Sequence, residues 1–434
     1  MRIRSLALTA ALSLALAAPA LAAPSDDFHA LMDQYWAAAL KNSPSLATSI
    51  GVSTYDAQLD VLSLAEMDRQ AAEAAAFRAR LNAIPKSALG LEDQTNYLIL
   101  KRNLDSAVEA NRFGERQMLY STLGSYHDFL AGMAENQPFR ARADYENYLK
   151  RIALVPDRMR AYGEISAKAA REGFVQPCVT MAGFPQSISG NIAADPTQSR
   201  FYLPFAGDRP AIVTAAEWES LKVRAAALIR DQINPSYARF GQLYDTQLKS
   251  TCRQSVGASA LPQGKEYYAY LVRTHTTTDK TPEEIHQLGL REVARIRSEM
   301  VDVAKKAGFP SREAMIAEMR SNPKYFAKTP DELLAASARM AKTIDGKMPS
   351  LFTRLPRLPY GIRPMPLATA PGDTTARYQP GSPDAGIAGF YLVNTTKLDQ
   401  RPLWEIPALT AHEAVPGHHM QIATQQELDL PAWR

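Results

Sequence analysis

From Asp26 onward the chain repeats apolar residues at three- and four-residue spacing, a period that a stack of helices satisfies and a sheet does not. Phe28, Leu31, Met32, Tyr35, Trp36 and Ala39 fall on one helical face. Ser63 and Glu66 form a capping box ahead of an Ala-rich run that ends near Pro85. The same patterning returns over residues 93–110, 143–172 and 215–248, with Tyr145, Tyr148, Leu149, Ile152 and Met159 expected in the core. Thr281-Pro282-Glu283-Glu284 places an N-cap, a first-turn proline and a capping glutamate in register, so a helix should start there and run past Met300. Residues 312–320 and 330–343 read as two more helices, with His275 and His286 as structural or surface residues.

Two stretches break the pattern. Residues 176–211 carry Pro177, Gly183, Pro185, Gly190, Pro196, Pro204 and Pro210 and read as a long irregular connection. Ser187 and Ser189 there lack the glycines of a nucleophile elbow, so serine hydrolysis has no motif behind it. Eight prolines between Pro349 and Pro383 predict little regular structure. Residues 388–395 then have strand composition, and Pro402 opens a helix expected over 403–415. The fold class is mainly α, with a small strand region next to that last helix.

The first 22 residues differ from the rest. Arg2 and Arg4, an apolar run from Leu6 to Ala18, and Ala20-Leu21-Ala22 make a bacterial secretory signal peptide, too short to span a membrane. Its removal takes the formal net charge from +4 to +2 and leaves residues 23–434 as the mature domain, exported and expected in the periplasm with no remaining membrane span. With near-neutral charge and no basic stripe, nucleic acid is not an expected partner. Cys178 and Cys252 would be exported together, which leaves a disulfide or a pair of buried thiols open. Their spacing is not that of a zinc site.

Three of the seven histidines lie within eight positions, in His412-Glu413-Ala414-Val415-Pro416-Gly417-His418-His419. Imidazoles that can hold Zn2+ and a carboxylate that can take a proton from water are the groups a zinc peptidase needs. The spacing departs from H-E-x-x-H, whose histidines sit one turn apart on one face. Here the i+4 position is Pro416, which disfavours helical geometry at Val415 and removes a hydrogen bond to the carbonyl of His412. On a straight helix His418 would lie about 240° round from His412, and His419 about 10 Å along the axis. The helix must therefore break at Pro416-Gly417. His412 and His418 are the expected ligands, Glu413 the general base, and His419 a support for the ligand or a substrate contact.

The chain resembles the bacterial exported proteins grouped as "domain of unknown function 885". The likeness lies in His412-Glu413-x-x-Pro416-Gly417-His418-His419, in Gly389-Phe390-Tyr391 with Asn394, and in Thr281-Pro282-Glu283-Glu284-Ile285-His286 with Gly289. That family is similar to the largely helical gluzincin metallopeptidases, so the resemblance implies one large metallopeptidase-like domain in which His412 and His418 are ligands and Glu413 is the base. It also implies a third ligand, a glutamate in a Glu-Gly-Trp segment beyond residue 434, so the chain is expected to be C-terminally incomplete, weak in zinc binding and inactive by itself. Tyr391 and Asn394 become candidate substrate contacts, with the strand edge beside them as a docking line. Arg363 and Arg377 are weaker candidates for a substrate carboxylate. The expected function is an exported zinc-dependent peptidase acting on a peptide or small amide, of open oligomeric state. The alternatives are a metal-dependent amidase on amino-acid conjugates and a non-catalytic exported helical binding protein.

Overall fold

A computed structural model describes residues 23–434 except 123, 366, 368, 369, 371, 372, 382 and 384–386. The signal-peptide reading of residues 1–22 lies outside them. The described chain divides into two compact units, one ending at Glu284 and the other covering Ile285–Ala432.

The first unit is helical throughout: α1 (Pro24–Asn42), α2 (Pro44–Ser49), α3 (Leu64–Ala83), α4 (Leu91–Ala110), α5 (Tyr126–Ala131), α6 (Arg142–Ile152), α7 (Val155–Arg171), α8 (Phe184–Ser189), α9 (Ala215–Leu228), α10 (Asn234–Leu243) and α11 (Gly264–Thr276). The expected caps form at Thr281 in full and at Ser63 in half, the Glu66 carboxylate being taken by Arg69 and Gln70. Ser63 Oγ accepts from Glu66 N at 3.0 Å, and Thr281 exchanges bonds with Glu284 at the start of α12 (Pro282–Lys306). Phe28, Leu31, Leu81, Leu100 and Leu104 bury the facing sides of α1, α3 and α4, each contributing about 1.5–3 kcal/mol. A second core collects Tyr148, Tyr162, Phe184, Phe201, Phe205 and Tyr237. Two of its hydroxyls end on carbonyls: Tyr148 donates to that of Phe201 at 3.0 Å and Tyr237 to that of His127 at 2.6 Å.

Three local expectations change. The helix anticipated over 143–172 is two helices, broken at Ala153–Leu154 just before Pro156, which cannot donate to the ladder. The irregular segment 176–211 is more than a connection, because Phe184, Ile188, Phe201 and Phe205 fill the core. The helix α11 has no forecast in the pattern: its N-cap Gln263 is left-handed, at φ 53°, and offers no side-chain cap bond.

Cys178 and Cys252 form a disulfide with Cα atoms 4.9 Å apart. It closes a loop across a sequence separation of 74. Replacing both cysteines by serine is expected to cost about 2–4 kcal/mol, measured as a fall in urea midpoint; an unchanged midpoint would count against the cross-link.

His127 is fully buried, with Nε2 2.9 Å from Ser187 Oγ and 3.4 Å from Asp128 Oδ2. Burial holds it below its ordinary value of 6.5, and Asp128 offsets this in part. A lowered histidine stabilises the fold above the unfolded value, and that contribution is lost as pH falls through about 6.5, where the unfolded chain gains a proton and the folded one does not. Urea midpoints should drop below pH 6.5 with a slope of up to about 1.4 kcal/mol per pH unit from this residue. In His127→Gln the slope should be shallower; equal slopes would remove His127 from the account.

The second unit carries α13 (Arg312–Ser321), α14 (Pro330–Asp345), α15 (Met348–Leu351), three strands and two closing helices, α16 (Ile406–Glu413) and α17 (His418–Gln426). The strands are β1 (Tyr360–Pro364), β2 (Ala376–Gln379) and β3 (Gly389–Val393), in the order β1-β3-β2, with β1 parallel and β2 antiparallel to β3. The proline-rich stretch thus holds two strands where little structure was expected. Both are edge strands and proline bounds both, at Pro359 and Pro364 for β1 and Pro380 for β2, where the missing N–H costs no ladder bond. Leu333, Ala376, Tyr391, Val393, Ile406 and Ala414 pack α14 and α16 onto the sheet. Among the described residues no helix is long and apolar enough to cross a membrane.

Candidate metal centre

The helix α16 stops at Glu413, two residues earlier than its pattern predicts. Ala414 leaves helical geometry at φ −102°, ψ −103°, the Val415–Pro416 peptide is cis, and the chain re-enters a helix at His418. The backbone folds back on itself: Gly417 N donates to the Ala411 carbonyl at 2.9 Å, and His419 N to the Ala414 carbonyl at 3.0 Å. Only glycine fits at this crossing, since a Cβ at 417 would stand 1.9 Å from the His412 carbonyl oxygen and 2.5 Å from that of Ala411.

This turn brings the two imidazoles together. The rings of His412 and His418 have centroids 4.7 Å apart and lie nearly perpendicular, at 89°. With Glu413 they offer three donor atoms that all lie within 4.8 Å of one another. His418 Nε2 is 3.9 Å from Glu413 Oε2. The Glu413 side chain is buried, and its Oε2 has no hydrogen-bond partner, an arrangement whose cost of about 1–3 kcal/mol or more a nearby cation would offset. His412 is exposed and His418 half-buried, so the cluster has a solvent side. Two imidazoles facing each other with a carboxylate beside them are the donor types that suit a zinc ion and a base next to it. Among the described residues no other acid joins the cluster.

His419 points elsewhere. It is buried, Nδ1 lies 2.9 Å from the Tyr378 hydroxyl and Nε2 3.0 Å from the Leu358 carbonyl. The carbonyl can only accept, so Nε2 carries the proton and Nδ1 accepts from Tyr378. Burial lowers its affinity for a second proton. The ring also lies against Tyr360, with centroids 4.7 Å apart and the planes tilted at 44°. His419 is therefore an anchor of α17 against β1 and β2, and the reading of it as a substrate contact is corrected: both nitrogens are taken. Tyr378 reaches it across β3 because Gly389 has no side chain; a Cβ there would meet the Tyr378 hydroxyl at 2.1 Å. Tyr378 sits in the proline-rich segment, where no periodicity marks it, and sequence reasoning missed it.

The other candidates are also relocated. Tyr391 and Asn394 are fully buried, and Asn394 Nδ2 donates to the carbonyls of Ala370 and Thr374. Both hold the sheet together and neither is free to touch a substrate. The strand edge proposed for docking does not exist on β3, which is central and paired on both sides. Arg363 stacks over Phe390 at 4.0 Å and donates to Gln379, and Arg377 faces Asp373 at 3.7 Å. Glu427, close after the motif, is turned to Arg354 and Arg357. His275 and His286 are exposed.

A mainly helical fold with a histidine-rich turn between two short helices defines the class. The chain belongs to the DUF885 family, bacterial proteins of unknown function, whose pattern it matches over residues 44–434. No curated protein matches it. Two solved structures are similar in fold. One, a candidate lipoprotein from Colwellia psychrerythraea, has a TM-score of 0.77 at 20% identity and matches 94% of this chain and 73% of its own. The other, a candidate lipoprotein of unknown function from Shewanella oneidensis, has a TM-score of 0.66 at 18% identity over 95% of this chain and 73% of its own.

Proposed function

We propose that this protein is an exported zinc-dependent hydrolase of peptide or closely related amide bonds. The observation that carries the reading is the buried, unpartnered Glu413 oxygen set beside two imidazoles 4.7 Å apart. His412 and His418 would hold the ion, and zinc bound there supplies a Lewis acid and lowers the pKa of water from 15.7 toward about 7. Glu413 takes the proton of the attacking water as its oxygen bonds to the carbonyl carbon, and returns a proton to the amine as the C–N bond breaks. Burial of Glu413 restricts the rotation of that carboxylate, while the exposed side of the cluster leaves water a way in. Tyr378 and His419 hold α17 in place and so keep His418 against His412. The gluzincin resemblance of the motif supports the same roles, with a further glutamate expected to complete the coordination. Export rests on the leader-like first 22 residues, and the Cys178–Cys252 bond suits an oxidising compartment such as the periplasm.

The test is digestion of a peptide library by the protein as the cell exports it, with zinc content measured on the same sample. Cleavage should vanish with a chelator and return with zinc. Products that still form in the chelator would overturn the proposal.

A further inference from the structure

In the first unit the helices α1, α3, α4 and α11 leave a cavity of about 470 Å³ that the metal chemistry does not use. Small residues open it, among them Ala71 and Ala74 on α3 and Ala107 on α4. Aromatic rings wall it: Tyr35 and Phe77 meet edge to face at 5.7 Å, and Tyr267 and Tyr270 lie stacked at 6.3 Å. Of the two carboxylates on this mostly apolar lining, Glu73 and Glu115, Glu115 is half-buried and hydrogen-bonded by the Tyr267 side chain. Among the described residues no Lys, Arg or His pairs with it, and burial raises its pKa. The other charged groups on the lining are already engaged. Arg116 pairs with Asp68 at 2.6 Å, and Glu73 accepts from Asn42 at 2.6 Å.

The placement of Glu115 is built into the fold. It stands on a 3-10 turn, Gly114–Gln117, whose first residue lies flat on Phe174; a Cβ at 114 would be 2.1 Å from that ring. Arg116 ties the turn to Asp68, and the buried Gln117 donates to Glu172 at 3.0 Å. With the turn fastened on both flanks, the Tyr267 hydrogen bond keeps the Glu115 carboxylate toward the cavity. An isolated carboxylate held in an apolar, aromatic cleft favours a cation that brings its own apolar body, because the ammonium meets both the negative oxygen and the negative faces of the rings.

We infer that this cavity is a binding site for an organic ammonium with an apolar body, its charged nitrogen against Glu115 and its apolar part among Tyr35, Phe77, Tyr267 and Tyr270. The site lies wholly in the first unit, and the inference is independent of the hydrolase reading.

Calorimetric titration with three probes of one shape tests it: 2-phenylethylammonium, 2-phenylethanol and phenylacetate. The ammonium should bind at least about tenfold more tightly than the alcohol, and phenylacetate should not bind. In Glu115→Gln the preference of ammonium over alcohol should vanish while the alcohol binds as before. Ala74→Phe, which fills the cavity without touching the charge, should weaken the ammonium and the alcohol alike. Absence of ammonium binding, equal binding of the two, a preference that survives Glu115→Gln, or affinities unmoved by Ala74→Phe in folded protein would each overturn the assignment.

Discussion

Replacing Glu413 by glutamine is expected to lower peptide-bond turnover by about 10²–10⁴-fold, the usual contribution of a positioned acid–base group. The amide has the shape of the carboxylate it replaces, so the packing around this buried side chain should persist and the KM should move little. Zinc retained by His412 and His418 should stay within a few-fold of the parent, because the substitution leaves both imidazoles in place. The measurement is steady-state kinetics on a cleaved library peptide, paired with metal analysis of the same preparation. Turnover equal to that of the parent would remove Glu413 from the chemistry and leave its burial as a packing feature.

Gly417→Ala should act through geometry alone. The added methyl would arrive 1.9 Å from the His412 carbonyl oxygen, which is main chain and cannot swing aside. Either the turn opens or α17 shifts, and both carry His418 away from His412. Misplacing a catalytic group by about 1 Å commonly costs on the order of 10²-fold in rate, and loss of one of two ligands should weaken zinc binding at least as much. A competition titration with a zinc-sensitive dye reads the second effect directly, and circular dichroism shows whether the helices persist. If Gly417→Ala binds zinc like the parent, the turn does not set the ligand pair.

Much of this architecture was legible because helices announce themselves twice, by period and by caps. Ser63 and Thr281 both cap the starts they mark, though only Thr281 with Glu284 makes both bonds of the box, since the Glu66 carboxylate turns to Arg69 and Gln70. A break at Pro416-Gly417 was legible too, since proline disfavours continuing the helix, though the helix stops two residues before the predicted end. Its form was not. That His419 turns inward depends on Tyr378 of β2 and on the Leu358 carbonyl just ahead of β1, at sequence separations of 41 and 61. The strands β1 and β2 were hidden for a related reason: short edge strands bounded by proline carry neither alternation nor turn signals of their own. Tyr391 and Asn394 misled because strand residues beside a motif look available until the sheet order shows that β3 is enclosed.

The clasp at Gly417 has a consequence for how this motif tolerates change. In a single-helix motif the distance between two ligands is a multiple of the helical rise, so any insertion between them rotates one out of place. Here the two imidazoles belong to different helices, and their approach is set by a main-chain bond from Gly417 to Ala411. The spacing of the two imidazoles is thereby uncoupled from helical phase. The far ends of α16 and α17 can be lengthened, shortened or repacked while the imidazole pair stays intact, and the turn itself is the part with no room to vary.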